Sequence, residues 1–277
     1  MSLGPYDLTA GPFLTLYLML FAAAAALSII IPALLRPAGR KQAVTDTGQL
    51  AWMSGGTARV AESALTRLMT ARVVEQGVGD QFLIERGAAS SSHVEAGIIR
   101  LHSPTSWRAI LGVAGGAEAA IQQKLGAIGL LITPAQMARI RQWQTMPFWL
   151  LIAFGIPKLF VGVERERPIG YLSVLLFITL VIAAIRLFIV DRRTGAAIDA
   201  VDAARSNNQR LRIAPTHPEM ALAVALFGTT VLAGSYYESL HKLRQASSDG
   251  GSSSSDSGSD GDGGGCGGGG CGGCGGD

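Results

Sequence analysis

The chain has 277 residues, 48% of them hydrophobic and 16% charged, with a formal net charge of +3. So small a surplus makes no general case for nucleic acid, whose phosphates reward concentrated positive charge. The three cysteines, Cys266, Cys271 and Cys274, all lie in the last twelve residues, so no disulfide framework is available to a folded core.

Residues 1–10 read as a short external N-terminus. From 11 to 35 the chain carries no charge, GPFLTLYLMLFAAAAALSIIIPALL. A helix rises about 1.5 Å per residue, so about 20 apolar residues cross a hydrocarbon layer of roughly 30 Å. The flank before it has Asp7 and no Lys or Arg, which argues against a cleaved signal peptide. This is transmembrane helix 1.

Residues 36–145 are read as a small α+β domain. Gln49 to Met53 is helical, Gly55-Gly56 marks a turn, and Thr57 is placed as the N-cap of a helix through Ala71. Val60, Ala64, Leu65 and Leu68 form its buried stripe. Val73-Val74, the turn Gly77 to Asp80, and Phe82 to Ile84 read as a β-hairpin. Helix, turn, helix, hairpin is a winged-helix-like outline. Arg59, Arg67 and Arg72 are interleaved with Glu62, Glu75, Asp80 and Glu85, so the pattern speaks for protein contact over DNA. A helix over Ala117 to Leu125, a strand over Gly129 to Thr133 and a helix opening at Pro134 repeat the outline. His93 and His102 lack ligand-spaced partners and read as surface histidines. No phosphate loop, nucleophile elbow or paired-carboxylate site occurs, so no catalytic residue is assigned.

Residues 146–163 and 169–190 are transmembrane helices 2 and 3, joined by the ERERP turn at 164–168. Lys158 and Arg186, near their ends, are expected to snorkel to the interface. Arg36, Arg40, Lys41, Arg139, Arg141, Arg192 and Arg193 fall on one side if the N-terminus is outside, which places the 36–145 domain in the cytoplasm. Residues 191–218 read as a cytoplasmic linker. Residues 219–245 hold a fourth apolar run that reads either as a marginal span or as a buried or peripheral helix.

The tail, 246–277, is ASSDGGSSSSDSGSDGDGGGCGGGGCGGCGGD. Glycine and serine bury too little to offset the entropy of ordering, so a disordered tether with a reach on the order of 30 Å is expected. Cys266, Cys271 and Cys274 offer three ligands to a thiophilic metal, one short of a closed zinc tetrahedron. A redox pair would leave one thiol over. The same cysteines, flanked by glycine, suit an enzyme that takes an extended strand as its substrate, and an inert slippage-derived linker is the plain alternative.

GQLAWMSGGTARVAESALTRL, GAIGLLITPAQ, ERPIGYL, VALFG at 224–228 and the Gly/Cys tail together resemble a bacterial membrane-protein family. That family is marked by a conserved domain near a Cys-rich, Gly-rich low-complexity C-terminus. The resemblance covers about residues 45–277 and brings no catalytic residues. It implies a partner, a multinuclear iron enzyme that oxidatively modifies peptide cysteines, and so Cys266, Cys271 and Cys274 as modification sites or metal ligands. The expectation is therefore a non-enzymatic, mostly α-helical protein of the bacterial cytoplasmic membrane, with three spans and a candidate fourth. Its partners would be the lipid bilayer and that iron-dependent enzyme. The alternative is a membrane-anchored regulator whose winged-helix-like domain contacts DNA or protein.

Overall fold

A computed structural model describes residues 10–77, 79–85, 90, 92–164, 170–188 and 191–249, leaving aside the side chains of 10, 161–164 and 247–249. Helices dominate. Three of them, α1 (Ala10–Leu35), α5 (Pro134–Glu164) and α6 (Gly170–Phe188), pack side by side as a bundle. The 146–163 run is thus the second part of a longer helix that begins at Pro134.

Gly11–Leu35 and Gly170–Phe188 are long and apolar enough to cross a membrane, and little of either is buried. Their polarity is inverted relative to a protein surface in water. Met19, Leu34, Tyr171 and Phe177 are 73%, 79%, 80% and 65% exposed, whereas Tyr17, Ser28 and Thr179 are fully buried. The Thr179 hydroxyl donates to the Leu175 carbonyl at 2.8 Å, which leaves its oxygen to accept from the Tyr17 hydroxyl at 3.2 Å. Gly155 lets the three helices close up, since a Cβ there would lie 2.9 Å from both Leu176 Cδ2 and Tyr17 Cε2.

The remaining elements form a body with its own core. Its centre is α2 (Thr47–Thr70) against α9 (Met220–Phe227). Asp46 caps α2 by accepting from the Gly48 N–H at 3.0 Å, and Gly55-Gly56 breaks its helical geometry midway, with Gly56 at φ +66°. Thr57 is not an N-cap: the non-helical residues at the break are Gly55 and Gly56, and the Thr57 hydroxyl, one residue into the helix, donates to Glu118 Oε2 at 2.8 Å. The expected hairpin is present. β1 (Val74–Gln76) pairs antiparallel with β2 (Gln81–Ile84), Val74 opposite Ile84, and the two-residue β3 (Thr105–Ser106) adds a third strand to β2. Between them lies α3 (His93–Ile99), which Ser92 caps by accepting from the Glu95 N–H.

After β3 the chain enters α4 (Trp107–Ala127) directly, so Ala117 to Leu125 belongs to a longer helix. The Gly129 to Thr133 stretch forms no hairpin of its own. It bridges instead to the chain that leaves α6, Leu131 opposite Arg193. The repeated outline read from the sequence is therefore absent, because the partner strand comes from sixty residues further along.

The stretch read as a linker is folded: α7 (Gly195–Asn207) and α8 (Arg210–Ile213) bury Ala196, Ala197, Val201 and Leu211. The fourth apolar run is broken up. A 3-10 turn (His217–Glu219) leads into α9, only eight residues long, and a second (Thr229–Leu232) leads towards α10 (Glu238–Asp249). At about 1.5 Å per residue α9 reaches roughly 12 Å, far short of a bilayer. Ala223, Val224, Ala225 and Leu226 are fully buried in the body's core.

Candidate functional site

Cys266, Cys271 and Cys274 lie outside the described residues. Among the described residues no group of three His, Cys, Asp or Glu is gathered to hold a metal. His93 and His102 are exposed. The structure instead concentrates its chemistry in two places, a buried ionic cluster and the junction between bundle and body.

The cluster arises where α9 ends inside the core: the Gly228 N–H closes the last turn on the Val224 carbonyl, and a later carbonyl such as that of Leu226 has no helical donor. Arginines supply the donors. Arg59 Nη1 donates to the Val224 carbonyl at 3.2 Å and Arg205 Nε to the Leu226 carbonyl at 3.0 Å. Arg193 Nη1 does the same for Met53, just before the break in α2, at 2.7 Å. A cation at a helix C-terminus also meets the negative end of its dipole. Glu62, only 7% exposed, sits 3.6 Å from Arg59 Nε and accepts from Arg244 Nε of α10 at 2.8 Å. The Arg244 guanidinium in turn stacks 4.4 Å from the Trp107 ring centroid. Arg67 pairs with the buried Glu95 at 3.6 Å. Two of the three arginines a DNA-contacting helix would need are thus directed at carboxylates of the body itself.

The junction is a knot of three extended segments. Gly195 and Ala196 N–H groups donate to the carbonyls of Pro37 and Ala38, Arg40 N–H to Gly129, Thr194 N–H to Leu130, and Ile132 N–H to Arg192. Thr194 is buried; its hydroxyl donates to the Leu130 carbonyl at 2.9 Å. Gly39 is at φ +75°, and a Cβ there would stand 2.5 Å from Thr194 Oγ1. Basic residues ring this knot. Arg36 Nη2 pairs with Asp191 at 3.0 Å, and Arg193 Nε reaches the same carboxylate at 3.1 Å. Arg192 Nη1 donates to the Gln122 side-chain oxygen at 3.2 Å. Beside the knot a groove of about 580 Å³ runs between 41–45 and α7, lined by Lys41, Thr45, Asp199, Asn207 and Leu222 among others.

Titration is perturbed at the entrance to α9. Thr216 and Glu219 form a reciprocal capping box, and Arg210 also pairs with Glu219. Hydrogen bonds from the Thr216 hydroxyl and N–H hold the Glu219 carboxyl below its ordinary value against the opposing effect of desolvation, with lesser help from Arg210. A depressed carboxyl contributes stability above its unfolded pKa and loses it as pH falls through the folded one. The Glu219 resonance is therefore expected to titrate at lower pH than in a Thr216→Val variant, by carbonyl-detected NMR. Equal midpoints would refute the box.

The Arg59–Val224 and Arg244–Glu62 contacts leave no mark in sequence spacing, since they join residues 165 and 182 positions apart. The run of Arg and Lys beside each apolar segment was the one legible signal for the junction. Compared with protein-family models, with curated proteins and with solved structures, the chain matches none. What the structure defines is a class: a mostly helical protein with a small three-stranded sheet and two helices long and apolar enough to cross a membrane.

Proposed function

We propose that this chain is a membrane-anchored carrier of a cysteine-bearing tail, which offers its thiols to a thiophilic metal or to an iron-dependent cysteine-modifying enzyme. The observation that supports an anchor is the inverted polarity of the bundle. Aliphatic and aromatic side chains cover its outside while Tyr17, Ser28 and Thr179 are enclosed, an arrangement that water penalises and hydrocarbon accepts. In this reading α1, α5 and α6 all cross the bilayer, with the N-terminus outside and the body in the cytoplasm of a bacterium. The basic residues at the junction favour that orientation.

The tail follows α10 in the chain, and α10 is fastened to the body by Arg244, Leu240 and Tyr237. The cysteines would thereby be held within reach of the bilayer, and the body would dock the partner. Glycine on either side of each cysteine leaves the thiols sterically open.

The test is the intact mass of the C-terminal fragment, cut from protein purified out of native membranes. Mass shifts that vanish in a Cys266→Ser/Cys271→Ser/Cys274→Ser variant, with the body's melting unchanged, are expected for a modified tail. Unshifted thiols that take up zinc in titration would assign metal capture. An adduct pattern indifferent to the triple substitution, or free thiols that take up no metal, would overturn the proposal.

A further inference from the structure

The junction holds more positive charge than the fold neutralises. Segments 36–41, 139–141 and 186–193 contain eight cations, Arg36, Arg40, Lys41, Arg139, Arg141, Arg186, Arg192 and Arg193, against the single carboxylate of Asp191. That is a surplus of seven in a chain whose whole formal charge is +3. Asp191 is shared by Arg36 and Arg193, and Arg192 meets only a neutral amide. The side chains of Arg40, Lys41, Arg139, Arg141 and Arg186 make no ion pair among the described residues. Asp199 lines the groove beside Lys41 without pairing to it. The Nε of Arg141 is buried and has no hydrogen-bond partner. Like charges gathered at one junction repel, and an anion from outside the chain relieves that repulsion.

Position says which anion. The three segments meet where the bundle joins the body: Gln144 Nε2 donates to the Arg186 carbonyl, Arg36 reaches Asp191, and Arg40 N–H donates to Gly129. Along the exposed face of α5, Arg139 is followed one turn later by Trp143, 49% exposed, and then by Met146, Leu150 and Phe160. Charge, then an indole, then hydrocarbon is the succession of a helix passing from water through headgroups into acyl chains. From Trp143 to Phe160 is roughly 26 Å of helix, close to one hydrocarbon layer. The Arg40 stem lies flat on Gly129, where a Cβ would come within 3.3 Å of its Cγ, while its guanidinium stays exposed. That posture presents a planar donor fork, and a phosphate diester accepts such a fork through two oxygens.

We propose that this collar is a binding surface for anionic phospholipid headgroups, with Arg40, Arg139 and Arg141 as the principal phosphate donors. The inference rests on the membrane-anchored reading. It adds that the anchor selects the lipids around it, and that those lipids complete the charge balance of the junction. Each basic residue near an anionic leaflet contributes about 1 kcal/mol of attraction, or about fivefold in affinity.

Full-length protein in a neutral detergent, titrated with phosphatidylglycerol or with phosphatidylcholine of the same acyl chains, reads this directly by native mass spectrometry. Phosphatidylglycerol adducts are expected at lower lipid concentration than phosphatidylcholine adducts. An Arg40→Gln/Arg139→Gln variant, both sites exposed and unpaired, is expected to lose at least tenfold in phosphatidylglycerol affinity. Arg40→Lys/Arg139→Lys, which keeps the charge, should retain most of it. Equal uptake of the two lipids by the native chain, or full uptake by the glutamine variant, would overturn the proposal. Displacement of the lipid by inorganic phosphate at matched concentration would assign the collar to free phosphate and also overturn it. Carbonate washing of membranes separates the two readings. Release of the protein would remove the anchor itself, whereas a retained protein without lipid preference removes only the collar.

Discussion

Gly228→Ala is expected to destabilise the body by about 3–5 kcal/mol, seen as a fall of roughly 10 °C or more in the melting temperature of the purified chain. Gly228 ends α9 at φ +88°, ψ −177°, a region essentially closed to residues with a Cβ. The added methyl would also stand 2.1 Å from Arg59 Nη1. A guanidinium usually swings aside cheaply. Here it is held by the Val224 carbonyl and by Glu62, so moving it strands a buried helix end. Gly234→Ala supplies the control, since it shares a positive φ of +74° but has nothing within 4 Å of the new Cβ. That change should cost only about 1–2 kcal/mol. If the two substitutions melt alike, the Arg59 clamp contributes nothing.

The second large effect is expected at Glu62. Glu62→Ala removes the carboxylate that Arg59 and Arg244 share, and leaves two guanidiniums beside the core without it. Breaking a fully buried pair costs about 3–5 kcal/mol, but both arginine side chains are nearly a quarter exposed, so about 2–3 kcal/mol is the better figure. The loss should fall mainly on α10, because Arg244 is the charged contact joining that helix to α2 and to Trp107. Amide exchange along Glu238–Asp249 is expected to quicken about thirtyfold or more, while β1 and β2 keep their protection. Uniform acceleration through the body would mean that Glu62 supports the whole core. Unchanged exchange in α10 would mean that Leu240 and Tyr237 hold the helix unaided.

How much of this was legible in the sequence follows from contact range. The uncharged run after Gly11, the Gly55-Gly56 break and the Val74–Ile84 hairpin are local patterns, and each appears where the residues place it. Thr57 looked like a cap because a hydroxyl after two glycines commonly is one, yet the non-helical residues at the break are Gly55 and Gly56, and Thr57 already lies in the helix. The 219–245 run was undecidable in isolation. Its alanines allow close approach to another helix, and only α2, more than 150 residues earlier, determines that they are buried. Residues 191–218 read as a linker because α7 is rich in alanine and charge, which is what a short helix with one narrow buried stripe looks like. The junction escaped because extended segments of four or five residues have no period to detect. Gly39, Gly129 and Thr194 matter there through one another, not through their neighbours in sequence.

The pairing of α2 with α9 has a consequence for synthesis. The ribosome finishes α2 early, but the helix that covers its apolar face lies on the far side of α5 and α6 in the chain. At roughly 5–20 residues per second, the 165 positions separating Arg59 from Val224 correspond to a wait on the order of 10 s. During that interval the face of α2 that α9 covers has no partner, although α3 and α4 are already made and pack on its other sides. The core of the body is thus completed only after α5 and α6 have been made, and a chain stopped before Met220 would leave the α9 side of α2 open, a ready target for quality-control proteases.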